Sequence, residues 1–360
     1  MTNNFDFQSH PLVAIWEANS DLAPPSDGLV LFPSGDKLEL TDKEAEQMIR
    51  DLAELKPPVL IFAGTDPLRR ANILSLVQYA ASCDLHPNMV LTPQSKATRD
   101  TITDLKKANL SRLTLSLHGG TAETHDTISG VSGSFARTIQ AIRWAIECRL
   151  PVQIQTEVNR RNLDQLETIA AALKPFRILG WSLSFPVPRP GEPLRDLPSA
   201  SEFEEAFSSI YALAERLPFK VKTLEAPHYK RFVVQQRTRA RHVNSGPVVL
   251  PFADAGIPGI VPVNEGRAVV FISSAGEIFP SQGLRISAGN VRDDRLTDVY
   301  RKSALFDSLR DPANLKGKCA DCEFKDMCGG SRARAWILAE DMFSEEHCCS
   351  YQPAHARKLG

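Results

Sequence analysis

Five of the seven cysteines crowd into residues 319 to 349 of a 360-residue chain. Their spacing is Cys319-x2-Cys322-x5-Cys328, then twenty residues, then Cys349, with Cys348 beside it. Thiolates from one tight loop can converge on a metal, and a fourth ligand can come from farther along. Four thiolates suit an iron–sulfur cube and a zinc ion alike, so the spacing alone does not choose between them. A reducing compartment disfavours disulfides, so a local cysteine cluster there reads as metal binding. Cys83 and Cys148 stand apart in apolar helical stretches and read as packing residues.

The rest of the chain has to position that cluster. Six short β runs stand out: Leu12 to Trp16, Val59 to Ala63, Met89 to Thr92, Leu113 to Leu117, Val152 to Val158 and Ile178 to Phe185. Helical stretches separate them. One opens with Thr41-Asp-Lys-Glu44, a capping box, and sets Ala45, Met48, Ile49 and Leu52 on one face. Another carries Phe135, Ile139, Ile142 and Ile146 at helical spacing, and a third spans 201 to 217. Such alternation predicts an α/β fold with a parallel sheet or partial barrel and right-handed crossovers. Chemistry in such folds sits at the C-terminal strand ends, here including Glu17, Gly64 to Asp66 and Ser116 to Gly120. The Gly- and Pro-rich stretch 243 to 266 reads as a connection, and Ala268 to Pro280 as a hairpin turning near Ser274-Ala-Gly276. The expected division is a barrel over 10–235, a linker over 236–265 and a C-terminal unit over 266–353.

Bulk properties exclude several classes. An apolar fraction of 42% and a charged fraction of 24% are ordinary for a soluble globular protein. The net charge of −1 argues against a nucleic-acid partner, and Arg237, Arg239 and Arg241 read as a solvated helix face. No apolar run reaches the roughly 18 residues of a membrane span. The polar start, Met1 to His10, lacks the features of a secretory signal, so the expected location is cytoplasmic.

Two segments carry a resemblance. Cys328-Gly-Gly-Ser-Arg-Ala-Arg-Ala335 and Cys349-Ser-Tyr-Gln-Pro353 are similar to the SPASM tail of radical S-adenosylmethionine (SAM) proteins. The group they look closest to contains haem-biosynthesis enzymes that remodel porphyrin side chains. Upstream, Pro11-Leu-Val-Ala-Ile-Trp-Glu17, Leu115-Ser-Leu-His-Gly-Gly120, Gly130-Val-Ser-Gly-Ser-Phe135 and Lys222-Thr-Leu-Glu-Ala-Pro-His-Tyr229 resemble the same family. Phe62-Ala-Gly-Thr-Asp-Pro-Leu68 looks like its Gly-Gly-Asp/Glu-Pro turn, which holds the SAM amino group. The resemblance implies a partial parallel (β/α)6 barrel with a C-terminal SPASM iron–sulfur domain. It implies an auxiliary [4Fe-4S] cluster on Cys319, Cys322, Cys328 and Cys349, with Cys348 as a substitute thiolate. Ser331 stands where some relatives have a cysteine. For SAM it points to Gly64, Thr65, Asp66 and Ser116.

The family's catalytic motif, Cys-x3-Cys-x2-Cys soon after the Trp-Glu pair, is missing. Carried over without gaps, its positions fall on Leu22, Ser26 and Leu29, and no cysteine occurs before Cys83. Hydroxyl and carboxylate oxygens, such as those of Ser26 and Asp27, are poorer ligands for an iron–sulfur cluster than thiolate. Thr65 replaces the second glycine of the turn, and His118 stands where relatives commonly have an aspartate. Three functions follow as expectations. The first is a degenerate radical SAM/SPASM protein that keeps the auxiliary cluster and serves as a binding, electron-transfer or partner subunit, for instance to an intact homologue. The alternative is an active radical SAM oxidoreductase or maturase acting on a peptide or porphyrin-like substrate. The third is a zinc-stabilised binding protein.

Overall fold

A computed structural model describes residues 6–19, 38–244 and 265–353. The positions matched to the missing cysteines, and most of the expected linker, lie outside the described residues. Seven strands run parallel in sequence order: β1 (Val13–Asn19), β2 (Val59–Gly64), β3 (Pro87–Leu91), β4 (Arg112–Ser116), β5 (Val152–Glu157), β6 (Gly180–Ser184) and β7 (Lys220–Leu224). The six expected strands are all present, and β7 is an addition. The sheet does not end at β1. β8 (Val269–Ile272) pairs parallel to β1, from Val13↔Val269 to Trp16↔Ile272. β9 (Glu277–Phe279) and β10 (Gly289–Asn290) extend that edge antiparallel. The predicted hairpin is therefore β8–β9, built directly onto the barrel sheet.

Helices fill the crossovers: α1 (Asp42–Leu55), α2 (Ile73–Ser82), α3 (Arg99–Lys107), α4 (Ala122–Ser129), α5 (Ser134–Glu147), α6 (Leu166–Leu173) and α7 (Ala200–Arg216). α8 (His228–Asn244) follows β7, and its backbone runs through the first residues of the expected linker. The capping box forms as read: the Thr41 hydroxyl accepts from the Glu44 amide at 3.3 Å, and Glu44 accepts from the Thr41 amide at 2.7 Å. Such a cap contributes about 1 kcal/mol. The C-terminal residues add α9 (Leu296–Lys302), α10 (Ala304–Arg310), α11 (Gly317–Ala320) and α12 (Arg332–Ala339).

The core lies between the sheet and its helices. Trp16 and Phe62 meet edge to face at 5.6 Å, and Leu113, Ile154, Trp181 and Ile142 are fully buried with them. On β1 and β2 the alternate residues Val13, Ile15, Val59 and Ile61 are only half-buried, because they point to the concave face that the helices leave open. Cys83 and Cys148 sit at the C-terminal ends of α2 and α5 and are half-buried against the core. Among the described residues no helix is long and apolar enough to cross a membrane.

Candidate functional site

At the C-terminal ends of the strands the structure brings Gly64, Thr65 and Asp66 together as one turn after β2. Ser116 closes β4, two strands away at the same end of the sheet. The turn is cross-linked to the loop after β3. The Thr92 hydroxyl donates to the Thr65 carbonyl at 2.8 Å, and the Ser95 hydroxyl donates to Asp66 at 2.8 Å. Asp66 also caps the short helical turn at Pro67–Arg69, accepting from the Leu68 amide. Gly64 has φ +141°, and a Cβ there would lie 2.3 Å from Asn19 Oδ1. Its glycine requirement thus comes from the end of β1. Among the described residues, polar atoms buried without a partner at this end of the sheet include Asn19 Oδ1, Thr65 Oγ1, His118 Nε2 and His125 Nε2. That is a cradle a polar ligand can satisfy, and the residues present fit the polar groups of SAM to that extent.

Glu17 and the Nδ1 of His118 are committed to the protein. Glu17 is fully buried, accepting from the Ser274 amide at 3.3 Å and from Arg285 at 3.4 Å. Burial outweighs Arg285 and holds its carboxyl above the usual range. His118 stacks on His125, ring centroids 5.9 Å apart, and its Nδ1 accepts from the Glu157 amide at 3.3 Å. Burial, then the neighbouring His125, pushes its pKa down to about 3, so the ring is neutral. Arg70 spans the same end: it lies over Trp16 at 5.0 Å and donates to the Ala18 and Leu40 carbonyls at 3.1 and 2.8 Å. Sequence reasoning passed over Arg70 and Arg285, because nothing local marks a side chain whose partners are 30 to 268 residues away.

The second site is the cysteine cluster. Cys319 lies in α11, Cys322 and Cys328 in the turns after it, and Cys349 in the last turn. The four sulfurs lie within electrostatic reach of one another: a charge on Cys349, Cys319 or Cys322 raises the pKa of Cys328. Burial, with these neighbours, pushes Cys328 up to about 12 and Cys322 up to about 11. Burial also raises Cys319 and Cys349. Each sulfur has a backbone N–H aimed at it. Glu346 donates to Cys319 at 3.3 Å and Gly330 to Cys328 at 3.5 Å, while the Phe324 and Tyr351 amides serve Cys322 and Cys349. Gly329 and Gly330, with φ +67° and +65°, make the reversal that turns the Gly330 amide back to its thiol. Arg231 approaches Cys349 Sγ at 3.9 Å.

Cys348 is built differently. Its sulfur faces the Pro198 carbonyl at 3.9 Å, it belongs to the apolar core, and its amide is bound by Glu346 at 3.1 Å. Ser331 is buried as the cap of α12, accepting from the Arg334 amide and donating to Glu265 at 2.7 Å. Among the described residues no three His, Cys, Asp or Glu side chains are already drawn together closely enough to hold a metal ion. The fit to a cluster rests on the donor chemistry: four soft thiols, N–H groups to share their charge, and cationic Arg231 and Lys318 near Cys349.

Known proteins place this geometry. A model of the Radical SAM superfamily matches residues 25–173. The AdoMet-dependent heme synthase of Methanosarcina barkeri (strain Fusaro / DSM 804) is 32% identical over 315 residues, which is 88% of this chain and 88% of that protein. The PqqA peptide cyclase of Rhodopseudomonas palustris (strain ATCC BAA-98 / CGA009) is 25% identical over 335 residues, covering 89% and 81%. In fold, Streptococcus suis SuiB superposes with a TM-score of 0.73 at 15% identity, over 95% of this chain and 78% of SuiB. Native anSMEcpe with bound AdoMet gives a TM-score of 0.65 at 12% identity, over 94% of both chains. With that coverage and identity, the chain belongs to the radical SAM superfamily.

Proposed function

We propose that this chain is a degenerate radical SAM/SPASM protein that no longer cleaves SAM reductively. In this reading it holds one [4Fe-4S] cluster on Cys319, Cys322, Cys328 and Cys349 and acts as a binding, electron-transfer or partner subunit. The observation that carries the reading is in the chain itself: no cysteine precedes Cys83. Cys83 cannot stand in. It caps the end of α2 that leads into β3, and Cys148 caps the end of α5 that leads into β5. Both lie at the end of the sheet opposite the Gly64–Asp66 turn.

A cube with four thiolates exchanges single electrons and leaves no iron open. The chain's part is to supply thiols and to spread their charge. The N–H groups of Glu346, Phe324, Gly330 and Tyr351 favour the thiolate forms, and Arg231 and Lys318 lower the cost of their charge. Cys349 is the fourth ligand in this reading, because Cys348 faces the Pro198 carbonyl and the apolar core. The unit over 266–353 is read as the SPASM domain. The cytoplasm is the compartment this reading expects, since reducing conditions leave cysteines free to bind a metal. An intact homologue of this chain is the partner the reading favours.

The relatives named heme synthase and peptide cyclase favour the other reading, an active maturase or oxidoreductase on a porphyrin-like or peptide substrate. Iron and sulfide analysis of anaerobically purified protein separates the two. About four irons per chain supports the proposal, about eight supports the enzyme, and zinc in their place refutes both. The same protein, given SAM and dithionite, should yield no 5′-deoxyadenosine. Multiple turnovers above a Cys328→Ala control would overturn the proposal.

A further inference from the structure

Arg332 and Arg334 stand next but one on α12, and both are buried. They spend their donors differently. Arg334 gives Nε and Nη2 to Glu346, at 3.2 and 2.9 Å. Arg332 uses only Nη1, which donates to the Met342 and Ser344 carbonyls at 2.9 and 2.7 Å. Its Nε and Nη2 are buried without a partner. Those two atoms form the edge with which a guanidinium grips an anion through two parallel N–H donors. The carboxylates around it are engaged elsewhere. Asp341 pairs with Lys316 at 2.6 Å, and Glu346 pairs with Arg334. Among the described residues Arg332 thus carries a buried positive charge with no carboxylate to answer it.

Its neighbours are the thiols. A Cβ on Gly330 would meet Arg332 Nη2 at 2.5 Å and Glu346 Cβ at 2.8 Å. The glycine that turns its amide to Cys328 therefore also makes room for the guanidinium. Cys319 is within reach of the same charge. Burial raises its pKa, and the Glu346 amide and then Arg332 work against that. Two other cations near the sulfurs already have carboxylates: Arg231 pairs with Glu204, and Lys318 with Glu345 at 3.7 Å. A buried charge without a counter-charge is among the costliest arrangements in a protein. Four thiolates outweigh the positive charge of an iron–sulfur core, so a cluster bound here is an anion, and one added electron makes it more negative.

We infer that Arg332 is the counter-charge of the cysteine cluster, and that its free edge raises the reduction potential of the bound [4Fe-4S] group. The inference rests on the proposed function and names what tunes the electron-transfer site. A cation held near the cluster favours the more negative, reduced form. The bonds from Nη1 to the Met342 and Ser344 carbonyls fix where that charge sits, on the loop that leads to Glu346 and Cys349. Arg332 supplies no ligand to iron; it acts on charge alone.

The experiment uses the full chain with its cluster, purified anaerobically. Iron and sulfide are counted first, and the cluster's absorbance is then followed through a reductive titration against dyes of known potential. Arg332→Gln should keep about four irons per chain. Its reduction should be about tenfold or more less favourable, a shift of about 59 mV or more to lower potential. Arg332→Lys keeps the charge and loses the fork, so it should return at least half of that shift. Lys316→Gln removes an exposed charge from the same loop and should leave the potential in place. A merely structural role would cost iron and stability but would not move the potential of the cluster that remains. Four irons with equal potentials in wild type and Arg332→Gln would overturn this inference alone and leave the cluster assignment standing. So would a shift in Arg332→Lys as large as in Arg332→Gln. Zinc in place of iron would overturn both readings. If Arg332→Gln holds no iron, Arg332→Lys decides: iron at a potential near that of wild type supports the inference, and loss of iron from both variants overturns it.

Discussion

Two buried carboxylates mark the two halves of this molecule, and they shift in opposite directions. Glu17, at the end of β1, faces Arg285 at 3.4 Å, and burial still wins, so its carboxyl is held above the usual range. Glu346, beside the thiols, is equally buried, yet Arg334 and His228 nearby and the Ser331 amide hold it far below that range. Arg334 reaches it through Nε at 3.2 Å and Nη2 at 2.9 Å, a two-pronged pair with both side chains out of solvent. The contrast is one of organisation. The C-terminal half is braced around a fixed set of charges and donors, down to an N–H for each of the four thiols. The barrel end keeps the family's shape, but its glutamate, aspartate and arginine are spent on the protein itself. Sheet and helices are held by burial, while a cofactor site is held by a few ligands.

The largest effect expected from this contrast is at the thiols. Cys322→Ala should lose the cluster's absorbance and become more sensitive to protease after residue 300, because metal binding in such a tail is also folding energy. Cys348→Ala should keep the iron and lose only packing, about 1 to 2 kcal/mol. Equal iron in wild type and Cys322→Ala, or loss of iron in Cys348→Ala, would break the ligand assignment. Next come the carboxylates. Arg334→Met leaves Glu346 buried and unpaired and should cost about 3 to 5 kcal/mol in denaturant unfolding. Arg285→Met should cost less, about 1 to 3 kcal/mol, since Glu17 already leans toward its neutral form. Equal losses would erase the distinction between the halves.

A pH titration tests the buried histidines, among which His228 at the start of α8 is likewise pushed down to about 3, chiefly by burial. His118 and His125 are pushed down to about 3 and about 4, both chiefly by burial. Unfolded, each titrates near 6.5, so below that pH the unfolded chain takes up more protons than the folded one. Stability should therefore fall as pH drops from about 6.5 toward 4, and His118→Gln should flatten part of that fall. A His118→Gln profile as steep as that of wild type would show that this ring does not titrate as described, whereas the wild-type profile also carries His228 and the raised carboxyls of Glu17 and Glu225.

Much of this was readable in the chain. Six strands, the Thr41 capping box, the 268–280 hairpin and the helix ending near 217 follow from periodicity and cap residues. β7 escaped because its alternate positions include Lys220 and Lys222, so the apolar alternation that signals a strand is absent. Both lysines are exposed, as befits the edge strand at that end of the sheet. Cys348 and Cys349 were inseparable as letters. Successive residues in an irregular turn point to different sides, and only the fold shows that one meets the core and the other Arg231. Ser331 reads as a lost ligand, yet it caps α12 and binds Glu265, work done equally well without a metal.

The smallest expected effect is the sharpest test of the barrel end. Thr65 stands where the family pattern has glycine, and Thr65→Gly restores it. The Thr65 hydroxyl is buried with no partner, so removing it relieves about 1 to 3 kcal/mol of unsatisfied polarity. Against this stand the freedom glycine gains in the unfolded chain, about 0.5 to 1 kcal/mol, and the packing lost with a buried methyl group. The Thr92 bond to the residue 65 carbonyl is backbone-directed and survives. These contributions nearly cancel, so the unfolding free energy should move by no more than about 1 kcal/mol in either direction. Under the proposed function 5′-deoxyadenosine should not form in this variant either, because a turn of this kind supplies no thiolate. If Thr65→Gly alone brought 5′-deoxyadenosine turnover, the defect at the barrel end would lie in this turn and not in the missing cysteines, and the contrast between the halves would have to be drawn again from Thr65.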